Sequence, residues 1–178
     1  MIRASRVVTL LFVGLVFAPA PGEAQLWTHT AHTCVVDEVR SSGQAVTFGS
    51  SLAVHRAGTI VARCNVTNPM DSGQSPDWGA LEIVYTDPPS VVSSEKVTAA
   101  LLRIDNHGDL SLPIATFSSD SFLQSTAAQK QSVAFSHVFE FAEAAYFVEI
   151  TITEHGTGLG GPPRRRVFLV RLRPVLPR

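Results

Sequence analysis

The sequence predicts an all-β protein: an antiparallel β-sandwich of about eight or nine short strands, immunoglobulin-like or jelly-roll-like, preceded by a cleavable signal peptide. Three observations predict it. Apolar and polar residues alternate at period two along most of the chain, with no long helical face. Clusters of Gly, Pro, Asn and Asp recur about every dozen residues, which suits hairpin connections better than crossover helices. The amino terminus has the build of an export leader, which accounts for the one long apolar run outside the strand pattern.

In the leader, Arg3 and Arg6 precede an apolar stretch from Val7 to Ala18, and small residues and prolines follow to Ala24. Ala18-Pro19-Ala20 has the shape of a cleavage site, but Pro21 on the leaving side disfavours it. Gly22-Glu23-Ala24 is the better site, leaving Gln25 first. No cysteine follows either cut, so a lipid anchor has no attachment point, and the apolar run falls short of the roughly twenty residues of a spanning helix. The domains read as residues 1–24, signal peptide, and 25–178, a single β-sandwich. The expected localisation is exported, periplasmic or extracellular, with no transmembrane segment. There thiols oxidise, so the only two cysteines, Cys34 and Cys64, read as a disulfide. A bridge of this span is worth about 3–4 kcal/mol in the chain-entropy model.

The strands follow in order. Gly43 to Phe48 and Ser51 to His55 flank a Gly49-Ser50 break. Thr59 to Asn68 alternates cleanly, with Ile60, Ala62, Cys64 and Val66 on the apolar face. Leu81 to Thr86 directs Leu81, Ile83 and Tyr85 inward, and Lys96 to Ile104 ends at the turn Asp105-Asn106-His107-Gly108. Leu110 to Phe117 contains Pro113 and reads as an edge. Ser132 to Phe141 places Val133, Phe135, His137, Phe139 and Phe141 on one face, and Tyr146 to Thr153 follows after a short connection; the two read as a hairpin. Arg166 to Arg173 is the last strand, beyond a Gly/Pro-rich loop from Gly156 to Pro163.

Charge is unevenly distributed. Gln25 to Pro163 carries six basic and fourteen acidic residues, whereas Arg164 to Arg178 carries six arginines and no acid. The basic segment could meet a polyanion, but docking on its own acidic body, or serving as a charged edge strand, is the plainer reading. Nucleic acid is an unlikely partner for the body.

Four kinds of chemistry can be weighed. His29, His32 and Cys34 cluster near the mature start, and imidazole with thiolate suits zinc or copper. A disulfide would remove Cys34 as a ligand, so no metal site and no cofactor is expected. Asp105 to Asp109 has oxygen ligands for calcium, but Asp and Asn before Gly are ordinary turn residues. There is no Gly-x-Ser-x-Gly elbow, and His137 among phenylalanines reads as a hydrogen-bonded core residue. Glu82, Glu140, Glu149 and Asp87 occupy outward strand or turn positions with nothing to set two across a cleft, so no catalytic residue is assigned. The polar loop from Asn68 to Trp78 is the candidate binding segment, with Trp78 as a platform beside Asp71 and Asp77; Trp78 could equally plug the end of the core. Asn65-Val66-Thr67 matches a glycosylation acceptor.

The stretch Gly58 to Pro69, with Trp78, Tyr85-Thr86-Asp87-Pro88, Phe135 to Phe139 and Tyr146 to Ile150, resembles a group of uncharacterised secreted bacterial proteins. The resemblance covers most of the mature chain. It implies a bacterial, exported, all-β protein and transfers no functional residue. The expected function is a non-catalytic exported β-sandwich acting as a binding or structural module. Its partner would be a glycan, a cell-envelope component or another exported protein. The alternatives are a hydrolase with a loop-borne active site and a periplasmic metal-handling protein.

Overall fold

The computed structural model describes residues 25–55, 57–70, 74–90, 92, 94–109, 112–155 and 165–175. The leader at 1–24, Asp71, the whole Gly156–Pro163 loop with Arg164, and Arg178 lie outside the described residues. Among the described residues, no helix is long and apolar enough to cross a membrane.

Among the described residues, eleven strands follow in chain order: β1 (Trp27–Thr30), β2 (Val35–Val36), β3 (Gln44–Phe48), β4 (Ser51–His55), β5 (Gly58–Val66), β6 (Ala80–Asp87), β7 (Lys96–Asp105), β8 (Ala115–Ser118), β9 (Ser125–Ala134), β10 (Ala144–Glu154) and β11 (Arg166–Arg173). They form two antiparallel sheets. One runs β3-β4-β11-β6-β9, with β1 also paired to β11; the other runs β2-β5-β10-β7-β8. The predicted sandwich is what the chain forms. Strands β4 and β1 share one side of β11, β4 opposite Arg166 and Val167 and β1 opposite Leu169 to Leu172.

The core lies between the sheets and is built from the inward alternation of their central strands. Ile60, Ala62 and Cys64 of β5 and Val148, Ile150 and Ile152 of β10 meet Leu81, Ile83 and Tyr85 of β6 and Val167, Val170 and Leu172 of β11. All are buried. Burial of this kind stabilises by roughly 1.5–3 kcal/mol per large side chain.

The two strands missing from the sequence reading are short, and their role is to carry the chain from one sheet to the other. Strand β1 belongs to the β11 sheet; a single 3-10 turn, Ala31–Thr33, then delivers β2 to the edge of β5. Cys34 and Cys64 form the disulfide at this crossover, with Cα atoms 4.5 Å apart. That is the spacing of a directly opposed, non-hydrogen-bonded antiparallel pair. It continues the register in which Val35 faces Arg63.

The predicted hairpin of Ser132–Phe141 with Tyr146–Thr153 does not form. Strand β9 begins earlier, at Ser125, ends at Ala134 and pairs with β6, while β10 pairs with β5 and β7 in the other sheet. Residues 135–140 cross the end of the sandwich outside any strand, with burial alternating from Phe135 to Phe139. An extended backbone alternates its side chains whether or not it is paired, so period two alone does not identify a strand. Strand β8 starts after Pro113, at Ala115, and is an edge strand.

Candidate functional site

The two ends of the sandwich hold most of the chemistry. At the end where β6 and β10 begin, the crossing segment packs its aromatics inward. Phe139 is fully buried, with its ring centroid 5.0 Å from Trp78 and 4.9 Å from Tyr146. Phe135 and Phe141 are partly buried against the same cluster. Trp78 is only 2% exposed, and its indole N–H donates to the Gln25 carbonyl at 2.7 Å. Its ring is therefore a plug for the core and presents no open platform. The reason is local: Gly79 N–H donates to the Arg173 carbonyl and Phe135 N–H to the Gly79 carbonyl, drawing the chain before β6 in beside its neighbours.

Above this plug lies a groove of about 680 Å³, lined by Asp77, Trp78, Gly79, Phe135, Ser136, His137, Val138 and Val175. Three separate segments thus converge: the loop before β6, the crossing after β9, and the chain beyond β11. Val138 and Val175 form an apolar wall, 73% and 54% exposed respectively. Asp77 and Ser136 are exposed, and His137 is half-buried. His137 Nε2 lies 3.1 Å from Tyr146 Oη, which also accepts the Glu140 N–H at 3.0 Å. Burial, reinforced by the positive charge of Arg103, lowers the His137 pKa and favours the neutral ring beside the tyrosine. Of the three predicted binding residues, the structure brings Asp77 and the edge of Trp78 to this groove. Asp71 lies outside the described residues. Phe135, Val138 and Val175 were not among those three; the alternating Phe-Ser-His-Val-Phe run was the signal for the first two, but it was read as strand, and Val175 had none.

At the opposite end Arg165 is fully buried. Its Nε lies 2.7 Å from Asp87 Oδ1, and its Nη1 lies 2.8 Å from Glu95 Oε2 and 3.7 Å from Glu154 Oε1. The His155 N–H donates to Glu95 Oε1 at 2.8 Å, and the Ser90 hydroxyl donates to Oε2. Burial pushes the Glu95 pKa up. The hydrogen bonds and Arg165 outweigh it and bring the carboxyl below its ordinary range. Beside them the Tyr85 hydroxyl has no hydrogen-bond partner among the described residues. Burial, with the nearby Asp87 charge, pushes its pKa up to about 12.

The other carboxylates considered for catalysis are also engaged by arginine. Glu82 lies between Arg171 and Arg173 at 3.0 and 3.2 Å, Glu140 pairs with Arg103 at 3.2 Å, and Glu149 pairs with Arg63 at 3.0 Å and with Arg40. Much of the basic C-terminal segment is thereby spent on its own domain: Arg165, Arg171 and Arg173 all meet body carboxylates, and Arg166 lies over the Phe48 ring. Asp105 accepts the N–H groups of His107 and Asp109 at 2.9 and 3.0 Å, and these bonds lower its pKa, that from Asp109 most. The loop is a turn closed on itself, with Gly108 in the left-handed region at φ 84°. Asn65 is exposed on β5.

No family model matches the chain, and no curated protein matches it. Among solved structures, a xylan-binding module, CBM15, is similar at 11% identity over 84% of this chain and 97% of its own, with a TM-score of 0.45. An infectious bursal disease virus Gt strain structure is similar at 13% identity and a TM-score of 0.30, over 97% of this chain and 43% of its own. Both likenesses are too distant to transfer a residue, a ligand or an activity.

Proposed function

We propose that this protein is a non-catalytic exported binding module that takes a glycan of the cell envelope or its surroundings in the groove above Trp78. The observation that carries the reading is the make-up of that groove. An apolar wall of Val138 and Val175 stands with a polar rim of Asp77, Ser136 and His137 above the buried Trp78. A sugar ring has an apolar C–H face and a hydroxyl rim, so the two surfaces are complementary. The pairing of Glu82, Glu140, Glu149 and Asp87 with arginines supports binding over hydrolysis, because each carboxylate is already engaged by a partner within the domain.

The test is retention on an array of neutral and acidic polysaccharides, followed by calorimetry with the ligand retained. Asp77→Ala and Val138→Asp should each weaken binding by about tenfold or more while leaving the thermal midpoint nearly unchanged, since both side chains are exposed. Absence of retention on every glycan, or full affinity in both variants, would discard the groove as the site.

A further inference from the structure

The disulfide has an imidazole aimed at it. His29 lies on β1 and Cys34 just after the 3-10 turn; His29 Nδ1 is 3.7 Å from Cys34 Sγ. That nitrogen and both sulfurs, of Cys34 and Cys64, all lie within 4.8 Å of one another. The tight turn at Ala31–Thr33 folds β1 back so that a strand residue of the first sheet faces a cystine of the second. His32, the other histidine of the sequence cluster, points elsewhere, with its Nδ1 3.2 Å from the Ser50 carbonyl.

We infer that the reduced protein holds a zinc ion at His29, Cys34 and Cys64, so that this crossover is closed either by the S–S bond or by the metal. The chemistry balances. A dithiol reductant supplies two electrons and two protons, the S–S bond becomes two thiols, and the reductant leaves as its own disulfide. Zinc binding then releases both thiol protons. Two thiolates neutralise the dication and a neutral imidazole adds no charge, so a site this enclosed carries no net charge; Cys34 and Cys64 are 7% and 1% exposed. An N···S spacing of 3.7 Å suits ligands that sit about 2.0–2.1 Å and about 2.3 Å from a tetrahedral zinc. The same nitrogen also lies 3.0 Å from Thr33 Oγ1 and 3.2 Å from the Thr30 carbonyl, contacts that zinc would replace at its lone pair. The inference does not depend on the groove.

The experiment uses the full mature chain, reduced with a phosphine under argon and titrated with cobalt(II), then with zinc(II) in competition. A thiolate-to-cobalt charge-transfer band with tetrahedral visible bands is expected in the reduced protein and absent from the oxidised one. His29→Ala should weaken zinc by more than about tenfold, the lower bound for losing even a supporting group of a metal ligand. His32→Ala should bind as the parent does. Equal zinc affinity in oxidised and reduced protein, no effect of His29→Ala, or an equal loss in His32→Ala would overturn the inference. Circular dichroism covers the case in which reduction unfolds the chain: refolding by stoichiometric zinc supports the site, and failure to refold overturns it.

Discussion

At one end of the sandwich Phe139 is wholly buried among Trp78, Phe135, Phe141 and Tyr146; at the other Arg165 is as deeply buried, among Asp87, Glu95 and Glu154. Both seals join the two sheets. Trp78 precedes β6 and Tyr146 lies in β10, while Arg165 precedes β11 of one sheet and reaches Glu95 and Glu154 beside β7 and in β10 of the other. Their physics differs. Aromatic contacts depend on area and tolerate small shifts, each pair adding about 0.5–1.5 kcal/mol beyond burial. A buried guanidinium has a fixed fork whose partners must each be in place, so this end specifies geometry more than it adds stability.

The largest expected effect therefore lies at the charged end. Arg165→Met keeps most of the side-chain volume but leaves Asp87, Glu95 and Glu154 without the guanidinium. The expected loss is about 3–5 kcal/mol in urea unfolding at neutral pH. A loss under about 1 kcal/mol would mean that the cluster is already solvated. Acid should act on the parent in the same place. Because Glu95 is held below its ordinary pKa of 4.5, the unfolded chain binds more protons in that range. Its contribution is complete above about pH 4.5 and is lost as pH falls through the lowered value.

Phe139→Leu breaks the other seal more gently. Removing about three buried carbons costs about 2 kcal/mol at roughly 0.8 kcal/mol each. This loss should vary little between about pH 8 and about pH 4, whereas that of Arg165→Met should shrink below about pH 4.5 as Glu95 neutralises. Parallel pH profiles for the two variants would erase the contrast between the ends.

The sequence made the two ends legible to different degrees. Strands β5, β6, β7 and β11 could be read because each runs for eight residues or more, long enough for its apolar pattern to register. Strands β1 and β2, of four and two residues, are too short for any period to register. The aromatic end was visible as the Phe135–Phe141 alternation but was assigned to a strand, since pairing is a long-range property that spacing cannot report. The charged end was nearly invisible. Asp87, Glu95, Glu154 and Arg165 are brought together only by the sheet order; the arginine-rich C-terminal segment against an acidic body was the one trace, and it pointed to self-docking. Trp78 and Asp77 were correctly placed on one loop, but whether the indole faced in or out depended on the closure of Gly79 on Arg173.

Tyr85→Phe is a smaller change with the opposite sign. Its buried hydroxyl has no partner among the described residues and lies near the Asp87 charge, so removing the oxygen should stabilise the fold by about 1 kcal/mol. The check is a rise in the thermal midpoint. A fall would show that the hydroxyl makes a contact that supports the cluster.

The smallest effect expected is at His137, and it tests whether the aromatic end is as insensitive to pH as its apolar core implies. Burial and Arg103 depress this histidine, so its neutral form is favoured in the fold. The unfolded chain then binds the proton first, and stability falls as pH drops from about 6.5 through the lowered value. His137→Gln retains an acceptor for the Tyr146 hydroxyl and removes the titration. The variant should match the parent within about 0.5 kcal/mol at pH 8 and lack the parent's shallow slope just below pH 6.5. Persistence of that slope would place its origin at another histidine. Its disappearance would assign that shallow slope to the aromatic end and leave the response below about pH 4.5 to the charged end.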